Sequence, residues 1–135
     1  MRAILSILIL SVLFSYTVTA EEAAEQQIRD ALNAYHLAET AGDLDGILNA
    51  YAEDFVDPQG ATKPMLAEFF KALVSQGLLF DLEADMSNTT IQVDGDMASA
   101  GPIVYTSSLG TDAYSYRMRK DEDGTWRFVS SELAN

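Results

Sequence analysis

Few side chains in this sequence could do chemistry, because it contains no cysteine and a single histidine, His36. Without a thiol there can be no cysteine nucleophile, disulfide framework, zinc–cysteine site or lipid-modified cysteine. One histidine also excludes a multi-histidine metal centre, so we predict neither a metal nor a cofactor. Histidine titrates near neutral pH, so His36 could relay a proton at the mouth of a pocket or be an ordinary boundary residue.

Aromatic residues alternate with other residues along the second half of the chain, where we predict strands. The set is Tyr105, Tyr114, Tyr116, Trp126 and Phe128. Such rings can line a ligand pocket, where they combine apolar area with hydroxyl donors. They can equally fill the core or a dimer interface, and the sequence leaves these uses open.

The charge of the chain excludes some classes of partner. Its 135 residues carry 8 Lys and Arg against 21 Asp and Glu, a formal net charge of -13. Nucleic-acid binding requires clustered basic residues, and an anionic membrane surface repels an acidic protein. We therefore predict no nucleic-acid partner and no membrane partner once the N-terminal segment is removed.

The first twenty residues are typical of a secretory signal peptide. Arg2 precedes an apolar run over 3–14, and Val18-Thr19-Ala20 supplies small or modest side chains before two glutamates. The run is shorter than a membrane span needs, which disfavours a retained anchor. We expect cleavage after Ala20, a mature domain over 21–135 and a secreted or periplasmic protein. Loss of Arg2 leaves a net charge of -14 on that domain.

The mature chain changes its hydrophobic period once. Apolar residues at helical spacing predict a helix over 22–41, closed by Gly42, and a second helix that Asp43 can cap. A third helix is predicted to begin near Pro64, with a buried stripe of Met65, Leu66, Phe69, Phe70 and Leu73.

From residue 78 onward the period falls to two. Asp94-Gly95 predicts a hairpin turn, followed by strands over 97–107, 113–120 and 126–133. Pro102 falls inside the first of these strands and predicts an edge position or a bulge. Helices followed by consecutive strands indicate an α+β domain with helices packed on one side of an antiparallel sheet.

Most of the basic charge of the mature chain lies in its last hairpin. Arg117, Arg119, Lys120 and Arg127 could pair with acidic residues on a solvated face or form an anion site. Asn88-Thr89-Thr90 matches a glycosylation sequon, which is meaningful only in a eukaryotic secretory host.

Several local motifs resemble those of the nuclear transport factor 2-like superfamily, including its SnoaL-like and ketosteroid-isomerase-like branches. They are Ala41-Gly42-Asp43-Leu44-Asp45-Gly46-Ile47, Tyr51-Ala52-Glu53-Asp54-Phe55, Asp57-Pro58-Gln59-Gly60 and Asp123-Gly124-Thr125-Trp126-Arg127-Phe128-Val129. The resemblance implies a cone-shaped, cystatin-like fold, in which N-terminal helices pack on a strongly curved, mainly antiparallel sheet around an apolar pocket. It also implies a homodimer, since such sheets often pair face to face.

The ketosteroid-isomerase-like branch implies site residues. Tyr35 lies eight residues before Asp43, where those enzymes carry an oxyanion-stabilising tyrosine, and Asp57 matches their general base. The segment before Asp57 is about two residues shorter than in that branch. Tyr114 falls where those enzymes use a protonated aspartic acid, and its hydroxyl is also a donor.

Two functions from different classes are therefore open. The protein could be a binding module that holds a small apolar molecule or pairs with a partner, the reading that we favour. It could alternatively be an acid–base enzyme of the isomerase, dehydratase or cyclase type, with Asp57 as base and Tyr35 as oxyanion donor. His36, Tyr105, Tyr116, Trp126 and Phe128 are the candidate ligand-binding residues.

Overall fold

The computed structural model describes residues 18–134, so most of the predicted signal peptide lies outside the described residues. The helices α1 (Ala20–Ala41), α2 (Leu44–Asn49) and α3 (Lys63–Ser75) come first. The strands β1 (Glu83–Asp85), β2 (Thr90–Asp94), β3 (Met97–Ser107), β4 (Gly110–Lys120) and β5 (Trp126–Leu133) follow. This order confirms the α+β prediction.

Helix α1 begins two residues before the predicted start because Thr19 caps it. The Thr19 hydroxyl accepts a hydrogen bond from the Glu22 backbone N–H at 3.1 Å. At the other end, Gly42 adopts a left-handed φ of 66° and terminates the helix. Thr19 and Ala20 also belong to the segment that we expect signal peptidase to remove.

The apolar stripe predicted for α3 is only partly buried. Phe70 is buried, and Leu66 and Leu73 pack against the core. Met65 and Phe69, however, are 58% and 56% exposed, so their predicted burial is wrong. The predicted stripe contains five of nine consecutive residues, which is wider than the single face that this helix turns toward the core.

The five strands pair antiparallel with one another, and the sheet is centred on β3. One edge of β3 pairs with β1 and β2, the other edge pairs with β4, and β5 completes the sheet beside β4. The register of β3 and β4 shifts between Ala100 and Ile103, which confirms the bulge predicted at Pro102. Bulges increase the local twist and bend of a strand, and this sheet is curved.

The core lies between α1 and the inner face of the sheet. Ile28 and Leu32 of α1 are fully buried. Ile103, Met118 and Phe128 of the strands are at most 1% exposed. Burial of this apolar area is the main stabilising contribution to the fold. In the part of the chain that the structure describes, no helix is both long and apolar enough to cross a membrane.

Candidate functional site

A cavity of about 280 Å³ opens between α1, α3 and the inner face of the sheet. Tyr35, Tyr51, Tyr105 and Tyr116 line it together, and we call it the tyrosine cavity. Its apolar lining consists of Leu66, Phe69, Phe70, Leu73, Leu78, Leu79, Leu82 and Leu109. The polar lining is completed by Glu39, Asp57, Asp112 and Tyr114, with Ser107 and Ser131. Apolar walls with a few convergent polar groups are characteristic of small-molecule sites.

The four tyrosines form two hydroxyl pairs. The Tyr35 hydroxyl lies 2.8 Å from that of Tyr51, and the Tyr105 hydroxyl lies 2.9 Å from that of Tyr116. Burial raises the pKa of all four phenols above the ordinary value, so they stay neutral at physiological pH. Within each pair one hydroxyl donates to the other, which leaves the accepting hydroxyl's own proton available to a further acceptor.

Glu39 is the unexpected member of the cavity. It lies one helical turn after Tyr35 on α1, is only 4% exposed and lines the tyrosine cavity. Burial raises the pKa of its carboxyl group to about 8, and the neighbouring Tyr35 hydroxyl partly offsets that rise. The side chain is therefore mostly a neutral carboxylic acid at pH 7. Its Oε1 has no hydrogen-bond partner among the described residues.

Tyr51 reaches the cavity from the segment after α2. The backbone there pairs with β5: Ala52 N–H donates to the Phe128 carbonyl at 2.9 Å, and Phe128 N–H donates to the Ala50 carbonyl at 2.8 Å. These two bonds fix Tyr51 against Phe128, with ring centroids 5.1 Å apart. The backbone on both sides of Tyr51 is therefore held by hydrogen bonds to β5.

Asp57 lines the same cavity as Tyr35, and it also builds its own turn. Its Oδ1 accepts backbone hydrogen bonds from Gln59 at 2.9 Å and from Ala61 at 2.8 Å. Asp57 therefore both stabilises this turn and lines the cavity. Its role as a base stays a prediction.

Tyr114 and His36 contact the tyrosines at the two ends of the cluster. Tyr114 lines the cavity, is partly exposed, and its ring centroid lies 6.5 Å from that of Tyr116. His36 Nε2 lies 2.9 Å from the Tyr105 hydroxyl but does not line the cavity itself. Burial lowers the pKa of His36 to about 4, so the imidazole is neutral at pH 7. His36 can thus orient the Tyr105 hydroxyl from behind the cavity wall.

Trp126 and Phe128 occupy a different position. Both are buried core residues, and neither lines the tyrosine cavity. They line a second cavity, of about 520 Å³, together with residues of α1 and α2. The Trp126 indole N–H donates to the Gln27 side chain at 3.3 Å. The structure therefore brings Tyr35, Asp57, Tyr105, Tyr114 and Tyr116 together, but not these two residues.

Two arginines of the last hairpin, Arg119 and Arg127, form ion pairs with carboxylates. Arg119 forms a bidentate pair with Asp54, at 2.8 and 3.0 Å, and also contacts Asp121. Arg127 binds Asp121 and Asp123 and donates to the backbone carbonyl at the end of α2. This favours the charge-pairing interpretation, although the acids lie in the adjoining turn and in a loop rather than across the sheet.

Among the described residues, no group of three or more His, Asp and Glu side chains lies close enough together to hold a metal ion. The polar residues of the tyrosine cavity are suited to hydrogen bonding and proton transfer instead.

Glu39 and Tyr51 were not predicted from the sequence as site residues. A signal for Glu39 was present, because residues 28, 32, 35 and 39 follow one helical face and the first three are apolar or aromatic. An acidic residue at the next position of a core stripe indicates a buried carboxyl group. Nothing in the local sequence around Tyr51 shows that its hydroxyl lies beside that of Tyr35.

Comparison with known proteins identifies the fold. No protein-family model matches the sequence, and no curated protein is significantly similar to it. An NTF2-like protein of unknown function from Pseudomonas putida matches with a TM-score of 0.66 and 21% identity, over 83% of this chain and 86% of that one. A ketosteroid isomerase-like protein from Erwinia carotovora matches with a TM-score of 0.56 and 21% identity, over 82% and 95% of the two chains.

A longer protein contains a similar domain. Bd1075 from Bdellovibrio bacteriovorus matches 84% of this chain with a TM-score of 0.69 and 16% identity, and the match spans only 42% of Bd1075. All of these identities are low, so the likeness concerns the fold alone. The chain therefore has the fold of the nuclear transport factor 2-like superfamily, as its sequence motifs predicted.

Proposed function

We propose that this protein binds a small, largely apolar molecule with one polar end in the tyrosine cavity. The observation that carries the proposal is the composition of the lining, in which eight leucine and phenylalanine side chains accompany two tyrosine hydroxyl pairs and Glu39. An apolar body would gain free energy by leaving water for these walls. Its polar end would meet the hydroxyls and the carboxyl group.

The size of the cavity limits the ligand. An apolar cavity of about 150 Å³ is large enough for benzene, and the tyrosine cavity is nearly twice that size. A bicyclic aromatic body or an alkyl chain of similar bulk therefore matches the available space. We use naphthylmethanol as a probe because it joins such a body to a single hydroxyl group.

A matched pair of variants tests the location of the site. Ser131 lines the cavity on β5, whereas its neighbour Ser130 does not line it. We expect naphthylmethanol to bind the unaltered protein one to one in isothermal titration calorimetry, with a Kd of about 100 µM or tighter, about 0.5 kcal/mol per non-hydrogen atom. Ser131→Phe should abolish binding by filling the cavity, while Ser130→Phe should retain it. Equal binding to both variants would contradict the proposed site.

Acid–base catalysis is the second candidate, and one observation favours it. Asp57, Tyr35 and the protonated Glu39 line one cavity, so a base and two hydrogen-bond donors could act on one carbonyl compound. A carboxylate would take a proton beside the carbonyl group, and the donors would stabilise the enolate. The test is deuterium exchange into tetralone, followed by NMR in D₂O. Exchange that Asp57→Asn abolishes supports an enzyme, whereas no exchange above the buffer rate supports binding alone.

We also propose that the protein is exported and that signal peptidase removes residues 1–20. The N-terminal sequence pattern supports this. The test is the intact mass of the protein recovered from the periplasm or the medium after expression of the full chain. A mass that corresponds to 21–135 supports export, and recovery of the uncleaved chain in the cytoplasm contradicts it.

A homodimer stays a further proposal. The inward-facing aromatics of the sheet are buried in the monomer, so they are not available for pairing as a face of the sheet. Exposed apolar side chains instead occur near the mouth of the cavity, where Phe69 and Leu109 contribute to its lining. Light scattering after size-exclusion chromatography gives the oligomeric state directly, and a monomer at micromolar concentration would contradict the dimer.

A further inference from the structure

We infer that the polar end of the ligand is a basic nitrogen, so that the tyrosine cavity selects apolar amines over alcohols and carboxylic acids of the same shape. This inference rests on the proposed function and names the ligand class for the same site. Three independent features of the cavity support it: the signs of its charges, an unpartnered carboxyl oxygen and an aromatic lining.

The ionisable side chains of the cavity include acids but no bases. Glu39, Asp57 and Asp112 line it, and no lysine, arginine or histidine does. Arg119 and Arg127 of the last hairpin are bound to aspartates elsewhere. Arg117, next to Tyr116 along β4, is exposed and does not line the cavity. A carboxylate ligand would therefore enter a cavity of like charge, whereas an ammonium group would meet only opposite charge.

Glu39 provides the specific contact. Its side chain is 4% exposed and its Oε1 has no hydrogen-bond partner among the described residues. A buried polar atom without a partner costs free energy, and a ligand that supplies a donor recovers that cost. An ammonium group is the donor that gains most, because it also pairs with the ionised carboxylate. Glu39 would then release its proton to the solvent when the amine binds.

The aromatic rings of the cavity lining also favour a cationic ligand. Tyr35, Tyr51, Phe70, Tyr105 and Tyr116 line the same cavity as Glu39. The faces of such rings attract a cation within about 6 Å of the ring centroid. A hydroxyl or carbonyl group would gain nothing comparable from these faces, so the rings and the carboxyl group favour the same ligand chemistry.

Three probes that share one apolar body test the inference. Naphthylmethylamine, naphthylmethanol and naphthoic acid differ only in the polar end, and calorimetry at pH 7 compares their affinities for the full mature chain. We expect the amine to bind about tenfold more tightly than the alcohol, and naphthoate to bind more weakly than both. Glu39→Gln should remove the preference, so that the variant binds the amine and the alcohol with affinities within about twofold of each other. Glu53→Gln, which changes an exposed acid outside the cavity, is the matched control and should retain the preference.

The outcomes separate the two claims. If alcohol and amine bind equally well, or if Glu39→Gln keeps the preference, the inference is wrong while the proposed binding function stands. If none of the three probes binds, both are contradicted. Because Glu39 should lose a proton when the amine binds, titrations in two buffers of different ionisation enthalpy should also show proton release. Loss of that release in Glu39→Gln distinguishes a direct contact from a change in packing.

Discussion

The Tyr35 and Tyr51 hydroxyl oxygens lie 2.8 Å apart, although sixteen residues separate them along the chain. This hydrogen bond joins the long helix α1 to the segment that enters the sheet beside Phe128. The bond is buried, so neither hydroxyl can form a hydrogen bond with bulk water in place of the other tyrosine. The pair therefore contributes both to the stability of the fold and to the polar side of the cavity.

A double-mutant cycle measures that contribution. We expect Tyr35→Phe and Tyr51→Phe each to lower the free energy of unfolding by about 1–2 kcal/mol, because each leaves the other buried hydroxyl without its partner. The double variant should lose less than the sum of the two. Urea denaturation gives these values. Tyr114→Phe, whose hydroxyl is in no hydrogen bond within 18–134, is the control, and strict additivity would contradict a direct pair.

The buried Glu39 makes stability depend on pH. Its pKa rises from an ordinary value of 4.5 to about 8 in the folded protein, so the folded state holds this proton more tightly than the unfolded state. Stability from this group is therefore greatest below pH 4.5 and declines as pH rises through about 8, by on the order of 5 kcal/mol in total. Tyr35, Tyr51, Tyr105 and Tyr116 surround it without titrating in that range, since burial raises the pKa of each.

Glu39→Gln isolates this effect. Between pH 6 and 8 the melting temperature of the unaltered protein should fall more steeply than that of the variant, because only the unaltered protein must ionise a buried acid. Glu53→Gln should behave like the unaltered protein. Parallel curves for Glu39→Gln and the unaltered protein would mean that Glu39 is ionised in solution.

His36 should titrate well below its ordinary range. Burial lowers its pKa from 6.5 to about 4, so its stabilising contribution is complete above pH 6.5 and is lost as pH falls through 4. An NMR titration of the imidazole Cε1 proton measures the midpoint directly, since this is the only histidine. A midpoint near 6.5 in the folded protein would show that the ring is open to water, and the urea-unfolded chain supplies that reference value.

The cap of α1 depends on where the mature chain begins. Thr19 accepts a hydrogen bond from Glu22 N–H, and cleavage after Ala20 would remove it. We expect a chain that starts at Val18 to be more stable than one that starts at Glu21 by about 1 kcal/mol. Thermal denaturation of the two chains gives the difference. Thr19→Ala in the longer chain should reproduce the loss, and equal melting temperatures for all three chains would show that the cap contributes nothing.

Local sequence signals predicted most of the elements. The strands over 97–107 and 126–133 have the predicted bounds, because alternating side chains and a Gly-containing turn define them directly. Strand β1 was not predicted, since a segment of three residues, two of them acidic, is too short to establish a period. Its pairing partner is β3, more than ten residues away along the chain. Such non-local pairing leaves no local pattern in the sequence.

The site was predictable only in part. Tyr35 and Asp57 were found through motifs that resemble an enzyme family, and both line the tyrosine cavity. Glu39 and the Tyr51 hydroxyl depend on how α1 packs against the segment after α2, which is a tertiary contact. Trp126 and Phe128 share the alternation of the cavity-lining tyrosines along the strands. They nevertheless lie outside the cavity. Alternation along a strand shows which side chains share a face of the sheet, but it does not show which part of that face a helix covers.

Native mass spectrometry of the mature protein, purified from its own host without added ligand, tests the central claim most directly. We expect a fraction of the protein to carry a small molecule that dissociates on activation, and the Ser131→Phe variant prepared in the same way to carry none. A ligand that contains a basic nitrogen would support the selectivity inferred from Glu39. Protein that is bare in both preparations, and that also fails to bind naphthylmethanol or naphthylmethylamine, would contradict a ligand-binding function for the tyrosine cavity.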